Sequence, residues 1–143
     1  MEPRVKELLS ELYAIESRHT GMLNSPEAVA LKMLSYRDRK TEHFVTFLVD
    51  NKNCFLSKKL ISKGTVDQAP VFPREILRYA LLKQASGIIL GHNHPGGDPN
   101  PSMQDREMTA RIKKAAILLG IRLLDHVIVS RTGHYSFQEH GLL

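Results

Sequence analysis

The chain has 143 residues, of which 42% are hydrophobic and 24% are charged. This length and balance are those of one soluble globular domain with room for a core. A single cysteine, Cys54, excludes an internal disulfide framework and fits a reducing compartment. Charged residues break up any apolar run at the start of the chain, so it does not resemble a signal peptide. No apolar run has the length of a membrane span. We therefore expect a cytoplasmic protein with no membrane partner.

The formal net charge of +5 allows a polyanionic partner such as a nucleic acid. Basic residues gather around positions 37–40, 58–59 and 111–114. Acidic residues such as Asp38 are mixed among them, so ordinary solvated faces also explain these clusters. A nucleic-acid footprint needs clustering on one face, and composition alone leaves this partner open.

Two helices are predicted before the first strand. Apolar residues at helical spacing indicate a helix over 5–18, which forms an N-terminal helical extension over 1–24. A serine-proline pair at 25–26 is typical of a helix start, and this second helix is expected to reach 37–40. The main domain is therefore predicted to span 25–143.

The middle of the chain is predicted to form a β-hairpin, a loop and a helix. Runs rich in β-forming residues indicate paired strands over 44–49 and 54–61. Residues 64–71 are typical of a loop. Pro73 then begins a helix whose inward face is expected to carry Ile76, Leu77, Ala80 and Leu81.

The last third is predicted to contain three strands and one helix. Residues 86–90 form a short apolar run typical of a buried strand, and the Gly/Pro-rich segment 96–101 is typical of a loop. A helix is expected over 102–119, followed by strands over 121–130 and 135–137. Strands and helices alternate irregularly, which indicates an α/β (α+β) domain of two or three layers around one mixed sheet.

A histidine pair directly after the strand at 86–90 carries the chemistry. His92 and His94 are two residues apart, so in a strand both side chains point to one face and can reach one ion. Asp105 lies in the first turn of the next helix, from which its carboxylate can point back to the strand end. These three ligands leave one position of a tetrahedral zinc open to water, as in catalytic sites. Zinc lowers the pKa of such a water to about 7, although a nearby carboxylate is still needed to move the proton.

Each part of this pattern also has an ordinary structural explanation. His-x-His pairs are common in loops without binding anything, and Ser102 with Asp105 three residues later is a helix capping box. The conjunction is more specific: a bare buried strand, His-x-His-Pro, a rigid Gly/Pro loop, and then Ser-x-x-Asp at a helix start. Together these features favour a metal site.

The order of these residues resembles a known enzyme family. His92-Asn93-His94-Pro95 followed by Ser102-Met103-Gln104-Asp105 is similar to the JAMM (MPN+/JAB) motif, His-x-His-Pro-x(6)-Ser-x-x-Asp. The longer strings HNHPGGDPNPSMQD, LLDHVIV at 123–129 and FPREIL at 72–77 resemble its RadC branch. The likeness extends from about residue 25 to residue 135. It implies the JAB/MPN fold, a curved mixed sheet flanked by helices with cytidine-deaminase-like layering, and one Zn²⁺ per chain at the sheet edge.

The same resemblance implies a general acid/base. JAMM enzymes carry a glutamate on an earlier strand, and the matching position in this chain is Glu42, just before the strand at 44–49. Glu75 is the alternative, but it belongs to a helix expected to pack behind the histidine strand. Glu107 lies two residues past Asp105 and therefore points to roughly the opposite side of its helix. We expect Glu42 to be catalytic.

Three further residues are candidates for support of the site. The resemblance gives Ser102 a second task beyond capping, which is to offer its hydroxyl to the developing oxyanion. Asp125 and His126 are candidates for the second layer around the metal. His126 can orient a ligand through a hydrogen bond, and a purely structural histidine explains it equally well.

The chain departs from the RadC pattern in two positions and one segment. Gly96 stands where many relatives have serine, and Phe72 stands where many have histidine, although neither position is an expected ligand. Relatives usually carry a helix-hairpin-helix DNA-binding segment ahead of this domain, and the first 40 residues show no such glycine hairpin. We therefore expect a short form or a truncated piece of a longer protein.

Two functions follow from these observations. The favoured one is a zinc-dependent hydrolase that cleaves peptide or isopeptide bonds, and a phosphodiester substrate is an alternative for the same metal site. The second is a DNA-associated binding module with a structural or vestigial zinc, in a family whose name is tied to DNA repair. The complete Glu–His–His–Asp set favours the enzyme, because a binding module needs no general base. MPN domains often pair, so a homodimer is also compatible.

Overall fold

The computed structural model describes residues 2–64 and 73–143, and within α1 it leaves the side chains of residues 13–20 undescribed. The helices are α1 (Pro3–Thr20), α2 (Pro26–Lys32), α3 (Leu34–Arg37), α4 (Pro73–Leu82) and α5 (Met103–Leu118). The strands are β1 (His43–Val49), β2 (Phe55–Lys63), β3 (Gly87–Asn93), β4 (Arg122–Ser130) and β5 (Gly133–Ser136). Phe72 and most of the predicted loop at 64–71 lie outside the described residues.

The five strands form one mixed sheet in the order β2-β1-β3-β4-β5. Strand β1 runs antiparallel to both β2 and β3, and β4 runs antiparallel to β5. Strands β3 and β4 are parallel, because α5 crosses over between them. The predicted mixed sheet is confirmed, and its middle strand is the one that carries the histidine pair.

Helices cover both faces of this sheet, which gives three layers. Every residue of β1 and β3 is buried, as expected for apolar strands covered on both sides. On one face, α4 and α5 pack over a cluster that includes Leu48, Ile76, Ile88 and Ile112. On the other face, α2 packs over a separate cluster. The histidine strand is therefore clamped between two cores.

The structure corrects three details of the predicted elements. The second helix was expected to continue to 37–40, but it ends at Lys32 because Met33 leaves helical geometry with ψ near 1° and buries its side chain. Leu81 was expected to point inward, but it is 51% exposed. Tyr79 is buried instead, in the same cluster as Ile76. Strand β3 extends three residues beyond 90, so His92 lies inside the sheet.

The N-terminal helix α1 lies beside α2, at the β5 end of the sheet. Its Lys6 ammonium donates a hydrogen bond to the carbonyl oxygen of Thr132, with an N–O distance of 3.2 Å. The exposed face of α1 includes Leu8 and Leu12, which are more than half exposed. Across residues 2–64 and 73–143, no helix has both the length and the apolar character needed to cross a membrane.

Gly91 provides a test of the packing between the sheet and Met33. A Cβ atom at Gly91 would lie 2.9 Å from Met33 Sδ and 3.1 Å from Phe47 Cε2, both in the buried layer. We expect Gly91→Ala to lower the free energy of unfolding by about 1–3 kcal/mol through this crowding. Gly96→Ala is the matched control, since a Cβ there meets no atom within 4 Å. Urea unfolding measures both, and equal stability of the two variants would contradict this packing.

Candidate metal centre

Strand β3 and the start of α5 bring three potential ligand atoms together. His92 Nε2 lies 2.9 Å from His94 Nε2 and 3.4 Å from Asp105 Oδ1. His94 Nε2 lies 3.1 Å from Asp105 Oδ2. His92 and Asp105 are almost completely buried, and the His94 side chain is 15% exposed. The predicted ligand set is thus one compact group with one side open to solvent.

These spacings suit a small divalent cation. Ligand atoms about 2.0–2.1 Å from a tetrahedral zinc are separated from one another by about 3.3 Å. The three observed separations range from 2.9 to 3.4 Å. Within the described part of the chain, this is the group of histidine and acidic side chains that can hold a metal ion.

The loop after β3 fixes the orientation of the His94 ring. Its Nδ1 lies 2.8 Å from the carbonyl oxygen of Asp98, which can only accept, so Nδ1 carries the proton. In the neutral ring, Nε2 therefore presents a lone pair to His92 and Asp105. Burial alone would lower the pKa of His94, but hydrogen bonds to Asp105 and Asp98, with the charge of Asp105 and then that of Glu42, outweigh it and raise that pKa. The group attracts a cation, either a proton or a metal.

A buried hydrogen-bond chain sets the orientation of His92. The Thr109 hydroxyl donates its only proton to the carbonyl oxygen of Asp105 at 2.7 Å. Its oxygen must then accept from His126 Nδ1, which lies 2.6 Å away. His126 Nε2 is left as the acceptor for His92 Nδ1 at 2.7 Å, so the neutral His92 ring also presents an Nε2 lone pair to the ligand group.

His126 is suited to this relay because it stays neutral. The ring is completely buried and stacks on Phe137, with ring centroids 4.6 Å apart. Burial, followed by the proximity of His92, lowers the pKa of His126 well below its usual value. A neutral ring can donate from Nδ1 and accept at Nε2 at the same time, whereas a charged ring could only donate.

The Asp105 carboxylate completes the helix capping box and also belongs to the candidate ligand group. The Ser102 side chain accepts a hydrogen bond from the Asp105 amide at 3.0 Å, and the Ser102 amide donates to Asp105 Oδ2 at 2.9 Å. The predicted capping box is therefore present. Burial would raise the pKa of Asp105, but hydrogen bonds from His92 and His94, when these rings are protonated, outweigh it and hold that pKa well below its usual range. The capping box thus positions an ionised carboxylate in the candidate ligand group.

Glu42 reaches the same end of the sheet from β1. At the last paired position Phe44 lies opposite His92 in the antiparallel register, and Glu42 lies two residues before Phe44, on the side of His94. Residues opposite each other point to the same face, which is why Phe44 stacks against His92 at 5.7 Å. The Glu42 charge is close enough to raise the pKa of His94. By contrast, Glu75 and Glu107 lie on exposed positions of α4 and α5.

Asn93 anchors the segment that carries Glu42. Its side chain is completely buried and points to the sheet face opposite the two histidines. Asn93 Oδ1 accepts from the His43 amide at 2.6 Å, and Nδ2 donates to the carbonyl oxygens of Thr41 at 3.0 Å and Arg39 at 3.5 Å. These bonds lie on both sides of Glu42, so one buried amide holds the backbone of that residue in place.

Asp125 lies further from the ligand group than His126. Its carboxylate accepts hydrogen bonds from the Ser136 hydroxyl at 2.6 Å and from the amides of His126 and Gln138. Among its described contacts, none is a side chain of the His–His–Asp group. Burial raises the pKa of Asp125, and these donors only partly offset it. Asp125 therefore ties the C-terminal segment to β4.

The contacts of Thr109 and Asn93 were not predicted from the sequence. Thr109 lies four residues after Asp105, one helical turn along the same face of α5, so its proximity was readable from spacing. Asn93 alternates with two histidines on a strand and so had to face the other layer. A polar residue such as Asn93, in a buried strand but on the face away from the histidines, needs buried hydrogen-bond partners, and this requirement was the signal in the sequence.

The hydrogen-bond chain makes Thr109 a test of the His92 orientation. Thr109→Val keeps the shape but leaves the His126 Nδ1 proton without its acceptor. We expect zinc affinity to fall about 10- to 100-fold, as for loss of other partners behind a metal ligand. Thr109→Ser keeps the hydroxyl and should stay within a few-fold of the wild type. Chelator competition measures both, and equal affinity of the two variants would contradict the relay.

Comparison with known proteins agrees with this geometry. A family model described as RadC-like JAB domain matches residues 23–142. The chain is 44% identical over 108 residues to a UPF0758 protein of Geotalea uraniireducens, and the match covers 76% of this chain and 47% of that protein. It is 39% identical over 137 residues to a UPF0758 protein of Vibrio cholerae, with 96% of this chain and 84% of that protein covered.

The UPF0758 protein of Ruegeria pomeroyi is 47% identical over 105 residues, which cover 73% of this chain and 47% of the relative. The chain thus spans about half the length of several curated relatives that it matches. The matched region contains both histidines, Asp105 and the strand that follows Glu42. The chain belongs to the RadC-like JAB domain family.

Proposed function

We propose that the chain is a zinc-dependent hydrolase that cleaves peptide or isopeptide bonds, with Glu42 as its general acid/base. The observation that carries this proposal is the convergence of two imidazole lone pairs and one ionised carboxylate within 3.4 Å of one another. Three electron-pair donors at this distance repel one another unless a cation lies between them. Family membership supports the hydrolase class, and the substrate bond is our inference.

The donor set favours zinc over harder cations. His92 and His94 offer nitrogen, which suits zinc, whereas magnesium and calcium prefer sites made of oxygen atoms. Three protein ligands are also the number found in catalytic zinc sites, and structural sites usually have four. When bound, zinc lowers the pKa of a water molecule and polarises the carbonyl under attack.

The residues of the chain would perform the proton transfers. The Glu42 carboxylate accepts a proton from the attacking water and passes it to the leaving amine. The Ser102 hydroxyl, at an exposed cap beside Asp105, donates a hydrogen bond to the oxygen that gains charge. His126 and Thr109 hold His92 so that its Nε2 keeps facing the ligand group.

A purely structural metal does not explain why the backbone around Glu42 is anchored. The segment around this residue is held by a completely buried asparagine that makes three hydrogen bonds to its backbone. A binding module with a structural zinc gains nothing from fixing a glutamate beside an open coordination position. The arrangement therefore supports an enzyme over a DNA-associated module.

Metal content and hydrolysis together test the proposal. We expect about one zinc per chain in the wild type and in Glu42→Gln, and almost none in His94→Ala, because only the last removes a ligand. Activity in a screen of peptide and isopeptide substrates should fall about 10²- to 10⁴-fold in Glu42→Gln, the usual loss for a general base. Glu107→Gln is the control, since it removes the same charge from an exposed position near Asp105.

Two results would contradict this scheme. If the wild type, purified without chelators, holds no metal and gains none from added zinc, the hydrolase proposal fails. If it holds zinc and cleaves peptides but Glu42→Gln is as active as Glu107→Gln, a different residue is the general base.

Asn93→Ala separates positioning from metal binding. Removal of the side chain takes away the acceptor for the His43 amide, so its hydrogen exchange should accelerate at least about tenfold. Zinc content should remain near one per chain, because both histidines and Asp105 are unchanged, while hydrolysis should fall. Asn24→Ala, at an exposed position, is the control. Unchanged exchange at His43 would show that Asn93 does not anchor the Glu42 segment.

A further inference from the structure

A small pocket opens directly beside the ligand group and shares His94 with it. Its volume is about 80 Å³, and its lining consists of Arg37, Asp38, Arg39, His94, Pro95 and Arg131. Three arginines thus face one aspartate in a space that adjoins the metal centre. A pocket with this excess of positive charge attracts an anion.

The loop after β3 makes room for the Arg131 guanidinium. A Cβ atom at Gly97 would lie 3.3 Å from both Nε and Nη2 of Arg131, so the absence of a side chain allows this close approach. Gly97 has φ of +94°, a conformation that favours glycine. The Thr132 hydroxyl donates to the Gly97 carbonyl at 2.6 Å, and the Gly97 amide donates to His94 O at 3.2 Å. The Arg131 guanidinium therefore packs against a loop that hydrogen bonds hold in place.

The arginines of this pocket keep donors available. Within the described ranges, Arg39 and Arg131 form no ion pair, and Arg37 pairs with Asp38 at 3.3 Å. The Nε atom of Arg37 is buried and has no hydrogen-bond partner. A buried donor without a partner is costly, so Arg37 brings to the pocket lining a guanidinium with unsatisfied hydrogen-bonding capacity.

The size of the pocket and the surrounding charge favour a carboxylate. A pocket of about 80 Å³ has room for a single anionic group such as a carboxylate and not for a whole nucleotide. A nucleic acid would require a basic track along one face. Instead, Lys58 lies over Tyr36 on one face of β2, and Lys59 lies over Tyr79 on the other. Guanidinium groups also match carboxylates in geometry.

We propose that this arginine pocket binds an acidic side chain of the substrate, so that the hydrolase prefers peptides with a Glu or Asp next to the bond it cleaves. The inference rests on the proposed function for the reaction, and on the pocket for the selectivity. Because His94 borders both the pocket and the ligand group, a carboxylate held here places the adjoining amide at the metal centre.

Binding of two matched probes tests the pocket without any hydrolysis. N-acetylglutamyl amide and N-acetylglutaminyl amide differ in that one has a carboxylate where the other has a carboxamide. We titrate each into the full chain, metal-free and zinc-loaded, and follow the Gly97 amide and the Arg131 Nε–H by NMR. The acidic probe is expected to bind at least about tenfold more tightly in both forms, and to shift both signals. The same preference for the acidic probe in the metal-free and zinc-loaded chain would show that the metal itself is not the anion site.

Arginine variants assign the effect to the pocket. Arg131→Gln and Arg39→Gln should each weaken binding of the acidic probe about tenfold, the loss of one charge-assisted pair. Arg111→Gln, which removes the same charge from an exposed position on α5, should leave binding unchanged. Equal affinity for the two probes, or an acidic-probe affinity that Arg131→Gln and Arg39→Gln do not change, overturns the proposal.

A third probe and the metal content separate the remaining outcomes. The dinucleotide dTdT carries one phosphodiester, and if it binds the same residues more tightly than the acidic probe, the substrate is a nucleic acid and the peptide assignment is overturned. Zinc content and peptide hydrolysis are measured on the same samples. Carboxylate selectivity without zinc uptake would support the anion pocket and contradict the proposed hydrolase. Zinc uptake and hydrolysis without carboxylate selectivity would support the hydrolase and contradict the anion pocket.

Discussion

The site depends on holding three electron-pair donors together in a largely buried place. Bringing an ionised Asp105 out of water costs free energy, which the fold offsets only in part with the hydrogen bond from the Ser102 amide. The imidazoles cannot turn away, because His94 is tied to the Asp98 carbonyl and His92 to His126. A cation bound between the lone pairs would relieve the remaining repulsion among them. The surrounding structure holds His92, His94 and Asp105 together against this repulsion.

Strand β3 accomplishes this by using its two faces for different tasks. Gly91 and Asn93 face the layer of α2 and α3, where Gly91 allows close contact with Met33 and Asn93 holds the segment before β1. His92 faces α5, and His94 follows it to the same side just past the strand. Because residues of a strand alternate between faces, four consecutive residues provide ligands on one side and anchoring on the other. A one-residue shift of register would exchange the two functions completely.

Sequence patterns predicted most of the elements and the three side chains that the fold brings together, because both depend on local spacing. Alternation in a strand placed His92 beside His94, and the cap placed Asp105 at a helix start. Family resemblance was needed for Glu42, which is distant in sequence and reaches the site only through the β1–β3 register. The break at Met33 and the contacts of Asn93 and Thr109 were not predicted. They arise from packing between layers, which overrides local propensity and leaves no periodic pattern.

The position of the two cores argues that a metal bound by the candidate ligand group would serve chemistry and not folding. Small domains that need a structural zinc lack a sufficient apolar interior and unfold without the ion. Here β1 and β3 are buried along their whole length between two apolar clusters, neither of which includes a metal ligand. Asp105 also has its capping hydrogen bonds with Ser102, which do not require an ion. The fold can therefore form without an ion and hold the candidate ligands in place, so that a bound metal would not be needed for folding and could keep one coordination position for the proposed chemistry.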